Sequence, residues 1–283
     1  MSALPDFRLD QRQVSVTRDA AAVWRVLDAD PIGTCMVASR VADYGIDSRS
    51  IGGELWTCAG ADTSLCYAGA NLIPLRGRPA DLAAFAAKAV STIRRCSSLV
   101  GRAELVLPLW EHLDDSWGAA RDVRESQPLM ALNTMPLCAM DAHVRQVRPE
   151  ELDAYLVAAV DMFIGEVGVD PRAVDGGRAY RRRVANLIAA GRAWARFERG
   201  EVVFKAEVGS QSPKVGQIQG VWVHPERRGR GLGAGGTAML AGVLVGSGRI
   251  ASLYVNDFNE AARVTYERVG FTEVGTFATV LLD

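Results

Sequence analysis

Apolar residues recur along this chain at two periods, and the switches between them lay out the elements. After a polar lead-in from Asp10, Ala22, Val23, Val26 and Leu27 share one side of a stretch that begins at Asp19, which predicts a helix over 19–27. The apolar run 34–39 follows the turn signals Asp30-Pro31 and Gly33 and predicts a strand. Segments 54–59 and 64–68, separated by Gly60-Ala61-Asp62, predict a hairpin, and 71–75 a further short strand. From Pro79 to Ile93, residues Leu82, Phe85, Ala86, Ala89, Val90 and Ile93 fall on one helical side, with proline in the first turn, where a missing N–H is tolerated. A shorter strand-and-helix unit follows over 99–113.

The second half repeats the alternation. Segment 128–132 is strand-like, and 133–141, which contains Pro136, reads as a linker. Val144 to Val147 predicts a strand, and a helix opens at Pro149 with Glu150 and Glu151 in its first turn and Leu156, Val160 and Phe163 on its apolar stripe. That helix is expected to loosen over 162–168 and to end at Asp170-Pro171. A second helix is expected over 180–190. Segments 193–197, 202–208 and 216–223 predict an antiparallel meander, turned at Glu198-Arg199-Gly200 and over 209–214. Met239, Leu240, Val243 and Leu244 mark a helix, 249–255 a strand, and 259–271 a last helix stopped by Gly270. Strands and helices mixed in this order indicate an α/β (α+β) protein. Two domains are expected, 1–140 and 141–283.

Composition narrows the class. The 283 residues are 49% hydrophobic and 23% charged, enough for sizeable cores. A formal net charge of -1 offers no global basic field for nucleic acid or anionic membrane. No apolar run is long enough to span a bilayer, and the acidic N-terminus is unlike a secretory leader, so a cytoplasmic protein is expected. The odd set Cys35, Cys58, Cys66, Cys96 and Cys138 contains no C-x-x-C pair, and His112, His143 and His224 are far apart in sequence. Free thiols and no metal site are the expectation.

Candidate chemistry concentrates between Val221 and Gly236. A strand through Val221, Trp222 and Val223 is broken by His224-Pro225. Arg227, Arg228 and Arg230 then interleave with Gly229, Gly231 and Gly233 at the start of a helix. Unpaired N–H groups, the helix dipole, permissive glycines and guanidinium donors together describe a pyrophosphate cradle. Two motifs fit it. Gly231-x-Gly233-x-x-Gly236, with Asp257 downstream, spells a dinucleotide fingerprint, although the charged 225–228 segment intervenes and little chain remains to build such a domain. The other is Arg228-x-x-Gly231-x-Gly233.

The second motif, followed by Asn259, Ala262, Tyr266, Gly270 and Phe271 in the spacing Asn-x-x-Ala-x-x-x-Tyr-x-x-x-Gly-Phe, resembles the GNAT superfamily of CoA-dependent N-acyltransferases. The resemblance covers the second half. It implies a GNAT fold with a mixed, mostly antiparallel sheet flanked by helices. The element order of the first half is similar, so two such domains in tandem are expected, the first a degenerate half without a cofactor site. Its segment Arg76-Gly77-Arg78-Pro79 lacks the Gly-x-Gly spacing; an unrelated α/β domain is the alternative.

The resemblance further implies acetyl-CoA held by Val221, Trp222, Val223, Arg228, Gly229, Arg230, Gly231, Leu232, Gly233, Asn259 and Ala262, along a strand that splays from its neighbour. Tyr266 takes the place of the general acid, and Phe163 to Pro171, with Glu166, the place of the acceptor contacts. For the general base, Gln219 cannot take up a proton, Glu207 on the adjacent strand is the best placed, and Glu166 is second. His224 reads as a strand terminator, and Arg181, Arg182 and Arg183 as a solvated helix face. The implied activity is transfer of acetyl from acetyl-CoA to a primary amine, of a protein lysine, a protein N-terminus or a small molecule, in a ternary complex, by a monomer or homodimer. The competing readings are a CoA-binding sensor without turnover and a nicotinamide-dependent oxidoreductase.

Overall fold

The computed structural model describes residues 13–173 and 175–283. The N-terminal stretch that bears on a leader lies outside them. The chain divides into two compact units: the first extends to Gln127 and takes back Thr276–Asp283, and the second is Pro128–Gly275.

The first unit contains β1 (Ser15–Val16), α1 (Ala20–Ala29), α2 (Cys35–Tyr44), α3 (Ser48–Ile51), β2 (Glu54–Thr57), β3 (Leu65–Ala68), β4 (Leu72–Arg76), α4 (Pro79–Val90), β5 (Ser98–Arg102), α5 (Ala103–Glu111) and α6 (Asp114–Trp117). Strand β6 (Asp122–Leu132) carries the chain into the second unit. There follow β7 (Arg145–Gln146), a 3-10 turn (Pro149–Glu151), α7 (Leu152–Val167), α8 (Arg178–Ala189), β8 (Ala193–Glu198), β9 (Glu201–Gln211), β10 (Val215–Val223), α9 (Leu232–Gly246), β11 (Ile250–Tyr254) and α10 (Glu260–Val269). Strand β12 (Thr272–Leu281) returns to the first unit.

Each unit repeats one strand plan. In the first, β1, β2, β3 and β4 pair antiparallel in sequence, β4 pairs β5 parallel, and β5 pairs β12 antiparallel. In the second, β7, β8, β9 and β10 pair antiparallel in sequence, β10 pairs β11 parallel, and β11 pairs β6 antiparallel. The expected mixed, mostly antiparallel sheet flanked by helices is therefore present twice. The sixth strand of each unit comes from beyond a simple boundary: Phe277–Leu281 closes the first against 98–102, and Leu129–Leu132 closes the second against 251–254. The division thus falls at 127/128, ahead of the expected linker, and the last residues leave the second unit.

Apolar periodicity accounts for the layers of the second unit. Phe204, Ile218 and Leu253 pack with Ala238, Leu240, Ala241 and Leu244 of α9 and Val269 of α10. Ala195, Val202 and Trp222 pack with Tyr155, Ala158 and Ala159 of α7 and Tyr180, Val184 and Ile188 of α8. Gly236, the third glycine of the literal fingerprint, is a packing residue, since a Cβ there would lie 2.4 Å from Phe204 Cζ. The turn 199–200 has both residues at positive φ, 52° and 86°, as a tight hairpin needs.

Three local expectations are corrected. The run 34–39 is the start of helix α2, not a strand: Thr34 Oγ1 bonds the carbonyls of Leu27 and Asp30, and Cys35, Val37, Ala38 and Val41 are buried. Short apolar runs carry both periods, and packing decides between them. Helix α4 stops at Val90, leaving Ile93 exposed rather than on the apolar side. Helix α7 does not loosen at 162; it continues to Val167, where Gly168 caps it in the left-handed region.

Candidate functional site

Strand β10 parts from β11 a third of the way along its length. The parallel rungs run from Val215↔Ile250 to Gln217↔Ser252 and end there. On the other side β10 stays paired to β9, with one extra residue between Gln219↔Glu207 and Trp222↔Lys205. That bulge is built on Gly220, at φ +59°, a conformation costly for other residues. At the last parallel rung, the side-chain nitrogen of Gln217 and the hydroxyl of Ser252 are buried and have no hydrogen-bond partner among the described residues. Val221 and Val223 lean on the α9 layer, whereas the Trp222 ring is packed in the α7/α8 layer. Only the backbone of Trp222 is therefore available to a ligand in the gap.

The glycine–arginine loop closes onto the N-terminus of α9. His224 ends the strand, its N–H donating to Val203 O at 3.0 Å, and its Nδ1 accepts from the Glu226 N–H at 3.3 Å. Arg228 folds back to donate to Val223 O at 3.3 Å, and Arg227 lies 3.6 Å from Glu198. Gly229, Arg230 and Gly231 are exposed. Gly231 is the N-cap of α9 at φ +80°, and no side chain caps this helix. A Cβ on Gly231 would meet nothing within 4 Å, and Leu232 and Gly233 form the helix's first turn. The N-terminal N–H groups and their partial positive charge thus face open space.

Asn259 caps α10 through Oδ1, which accepts from the Ala262 N–H at 3.2 Å, and is exposed. Cap and i+7 spacing together put Tyr266 on the buried side of α10, edge-on to Phe271 at 6.2 Å between ring centroids. Its hydroxyl has no hydrogen-bond partner among the described residues. Burial, with the Glu166 charge adding to it, pushes this phenol well above its ordinary value, so it is fully protonated at neutral pH. Glu166 is exposed on the last turn of α7, and Phe163 stacks edge-on against Tyr180 at 5.2 Å. These acceptor-side residues therefore stand on a helix rather than in a loop.

Glu207 lies under the bulge, its carboxyl carbon 3.7 Å from where a Cβ of Gly220 would be. It is 1% exposed and fully engaged. Oε1 accepts from Lys205 Nζ at 2.9 Å and from Tyr155 Oη at 3.3 Å, and Oε2 from Gln219 Nε2 at 3.4 Å. Burial alone would raise this carboxyl, but the charges of Lys205 and Arg183, with the hydrogen bonds of Lys205 and Gln219, outweigh it and hold it below the usual carboxylate range. A base working near neutrality needs the opposite shift, so Glu207 in this setting is a poor proton acceptor. Burial and the Glu207 charge push Tyr180 up to about 12.

Sequence reasoning missed Lys205, Tyr155 and Arg183. One signal was available: Lys205 and Glu207, two residues apart in an otherwise apolar strand, face the same side and pair.

Comparison with known proteins bears on the fold. Residues 205–280 match the FR47-like protein family, and 53–155 match a domain of unknown function, DUF4081, which straddles the boundary between the units. An acetyltransferase of the GNAT family from Colwellia psychrerythraea superimposes with TM-score 0.57 at 12% identity, covering 96% of this chain and 100% of that one. The chain has the GNAT fold. A GCN5-related N-acetyltransferase from Kribbella flavida is similar at TM-score 0.52 and 19% identity, over 87% of this chain and 95% of its own. A tandem GNAT protein from the clavulanic acid biosynthesis pathway gives 0.50 at 14%, over 95% and 98%. No curated protein matches the chain. The FR47-like match contains both GNAT-like motifs, from Arg228 to Phe271, together with Lys205 and Glu207. Among the described residues no group of acidic, cysteine or histidine side chains could hold a metal ion, and no helix is long and apolar enough to cross a membrane.

Proposed function

We propose that the second unit binds acetyl-CoA and transfers its acetyl group to a primary amine. The observation that carries this reading is the end of β10–β11 pairing at Gln217/Ser252, directly before the bulge and in the strand that leads to the uncapped N-terminus of α9. The residues fit such a ligand. The orphaned polar atoms of Gln217 and Ser252 offer hydrogen bonds at the vertex, the freed edge of Val221–Val223 suits an extended amide-bearing arm, and Gly229 to Gly233 offer N–H groups to a pyrophosphate.

Acetyl-CoA supplies an activated thioester. Backbone N–H groups of β10 orient and polarise the acyl carbonyl. Tyr266 donates its Oη proton toward the departing sulfur, a task suited to a phenol that burial keeps protonated. Asn259 and Ala262, at the start of α10, line the path of the arm. The amine reaches the thioester from the α7/α8 side, past Phe163 and Glu166, and gives up its proton to water. Transfer is direct, in a ternary complex. Glu207 acts here as an electrostatic anchor of the bulge rather than as the base. The cytoplasmic placement remains part of this reading, on five cysteines that are thiols rather than disulfides.

Isothermal titration with acetyl-CoA, with NADH in a parallel cell, tests the reading. Saturable binding of acetyl-CoA without NADH, followed by free-thiol release with amines, supports it; binding of NADH alone overturns it. Binding of acetyl-CoA without thiol release from any amine would favour the sensor, which the engagement of Glu207 keeps as a second reading.

A further inference from the structure

Helix α8 carries three consecutive arginines, and the fold sorts them. Arg181 pairs with Asp153 of α7, and Arg182 is exposed. Arg183, equally exposed, also reaches the Glu207 carboxylate. Its Nη2 stands 3.7 Å from Glu207 Oε2, and its guanidinium carbon is 6.0 Å from the Tyr180 ring centroid. All three arginines are exposed, as expected of a solvated helix face, and Arg183 in addition reaches Glu207.

At 3.7 Å this contact is an ion pair without a hydrogen bond. Glu207 does not need it, because its two oxygens already accept from Lys205, Tyr155 and Gln219. Lys205 and Glu207, at 0% and 1% side-chain exposure, form a neutral pair by themselves. Arg183 is then a surplus positive charge, 48% exposed, whose N–H donors make no hydrogen bond among the described residues. A guanidinium presents a planar fork that matches a carboxylate, and packing against the Tyr180 ring leaves it partly pre-organised. The Glu207 carboxylate it approaches lies under the Gly220 bulge, where Lys205 Nζ is 3.2 Å and Met162 Cε 3.2 Å from a Cβ built on that glycine.

We propose that Arg183 binds the carboxylate of the acceptor, so that the acceptor class is an amino acid or a close derivative with a free carboxylate near its amine. This rests on the acetyltransferase reading of the same site and narrows its acceptor. With Lys205 and Glu207 neutralising each other, Arg183 offers a single positive charge, which balances a monoanion better than a doubly charged phosphate. The other end of the acceptor is served by Glu166, exposed on α7 and near enough for its charge to act on Tyr266. An amine drawn toward Glu166 and Tyr266 with its carboxylate on Arg183 has the polarity of an amino acid.

The test uses the full chain with saturating acetyl-CoA and matched acceptor pairs, each of the common amino acids against its carboxamide, read by free-thiol release. At least one amino acid should turn over, and its carboxamide poorly. Arg183→Gln should raise KM for that amino acid by about tenfold to a hundredfold, the effect of losing a charged hydrogen-bonded pair, with kcat within about twofold and the carboxamide unaffected. Arg183→Lys, which keeps charge but not the fork, should fall between. Carboxamides used as well as amino acids, or no amino acid used while acetyl-CoA binds, would overturn the assignment. An unchanged KM in Arg183→Gln would do the same. Failure of acetyl-CoA to bind would show separately, by titration, and would remove the acetyltransferase reading and this assignment together.

Discussion

Helices α4 and α9 start at the same point of one repeated path, after the fourth strand of their units, and their first turns are built oppositely. In α4 the carboxylate of Asp81, buried, folds back to accept the Arg78 N–H at 2.9 Å. The loop before it is two residues long, and a Cβ on Gly77 would lie 3.3 Å from Asp81 Cβ. In α9 the approach is an eight-residue glycine–arginine loop, the N-cap is Gly231, and no side chain caps the turn. A helix N-terminus attracts one anion, its own or another's. The first unit supplies its own, and the second leaves the place open. The middle strands differ likewise: β3 buries Leu65, Cys66 and Tyr67 where β9 buries the Lys205–Glu207 pair. One strand plan can thus carry a helix start closed by its own carboxylate or one left open, according to a few groups at helix starts and in a central strand.

The sharpest way to break the contrast is at Tyr266, since α5 (Ala103–Glu111), the helix after the fifth strand of the first unit, has no tyrosine. Tyr266→Phe should lower kcat by about 10² to 10⁴, the range for a lost general acid, with the acetyl-CoA Kd within about twofold by titration. Weakened binding instead would mean the ring is structural.

Making β9 resemble β3 comes next. Lys205→Met takes from buried Glu207 its closest cation, leaving only Arg183 at 3.7 Å, and should cost about 3–5 kcal/mol in urea unfolding, whereas Lys205→Met with Glu207→Leu should recover most of it. The carboxyl of Glu207 is held below its ordinary value in the fold. Its contribution is therefore complete above the unfolded carboxylate range and is lost as pH falls through the depressed folded value. Wild-type stability should drop on acidification more steeply than that of the double variant, and parallel pH curves would refute the pairing account.

Gly231→Glu should weaken acetyl-CoA binding by about a hundredfold or more, by placing a fixed carboxylate where the open N-terminus awaits an anion. Gly231→Ala isolates the backbone strain of a positive φ, about 1–2 kcal/mol, without the charge. Binding should saturate at one acetyl-CoA per chain; two would erase the difference between the units. The smallest effect is expected at Asp81→Ala, which removes the internal anion of α4. It should cost about 1 kcal/mol, read as a few degrees in Tm, with the acetyl-CoA Kd unchanged.

Much of the site was legible in order along the chain, because its parts are local. The break at His224-Pro225, the glycines of the loop, the Asn259 cap and the Gly270 stop each act within a few residues of themselves, and the structure has them in those local roles. Tyr266 reached the buried side of α10 by the same helical arithmetic. Residues acting across elements were not legible. Arg183 read like the rest of its run until the fold set it 3.7 Å from Glu207, and Glu207 read as the best-placed base until Lys205, Tyr155 and Gln219 closed around it.

The sequence by itself determined most of the element order and the position of the loop before α9, because these follow from periodicity, capping and backbone permissiveness, whereas the mixed sheet in both halves was implied by the family resemblance alone. Only the tertiary structure decided that 34–39 is helical, that 129–132 and 277–281 complete the opposite units from a simple cut, and that a carboxylate named as a base is held ionised by a buried lysine. The reason is common to all three. Strand partners and the protonation of buried groups depend on neighbours distant in sequence, and no local pattern records who those neighbours are.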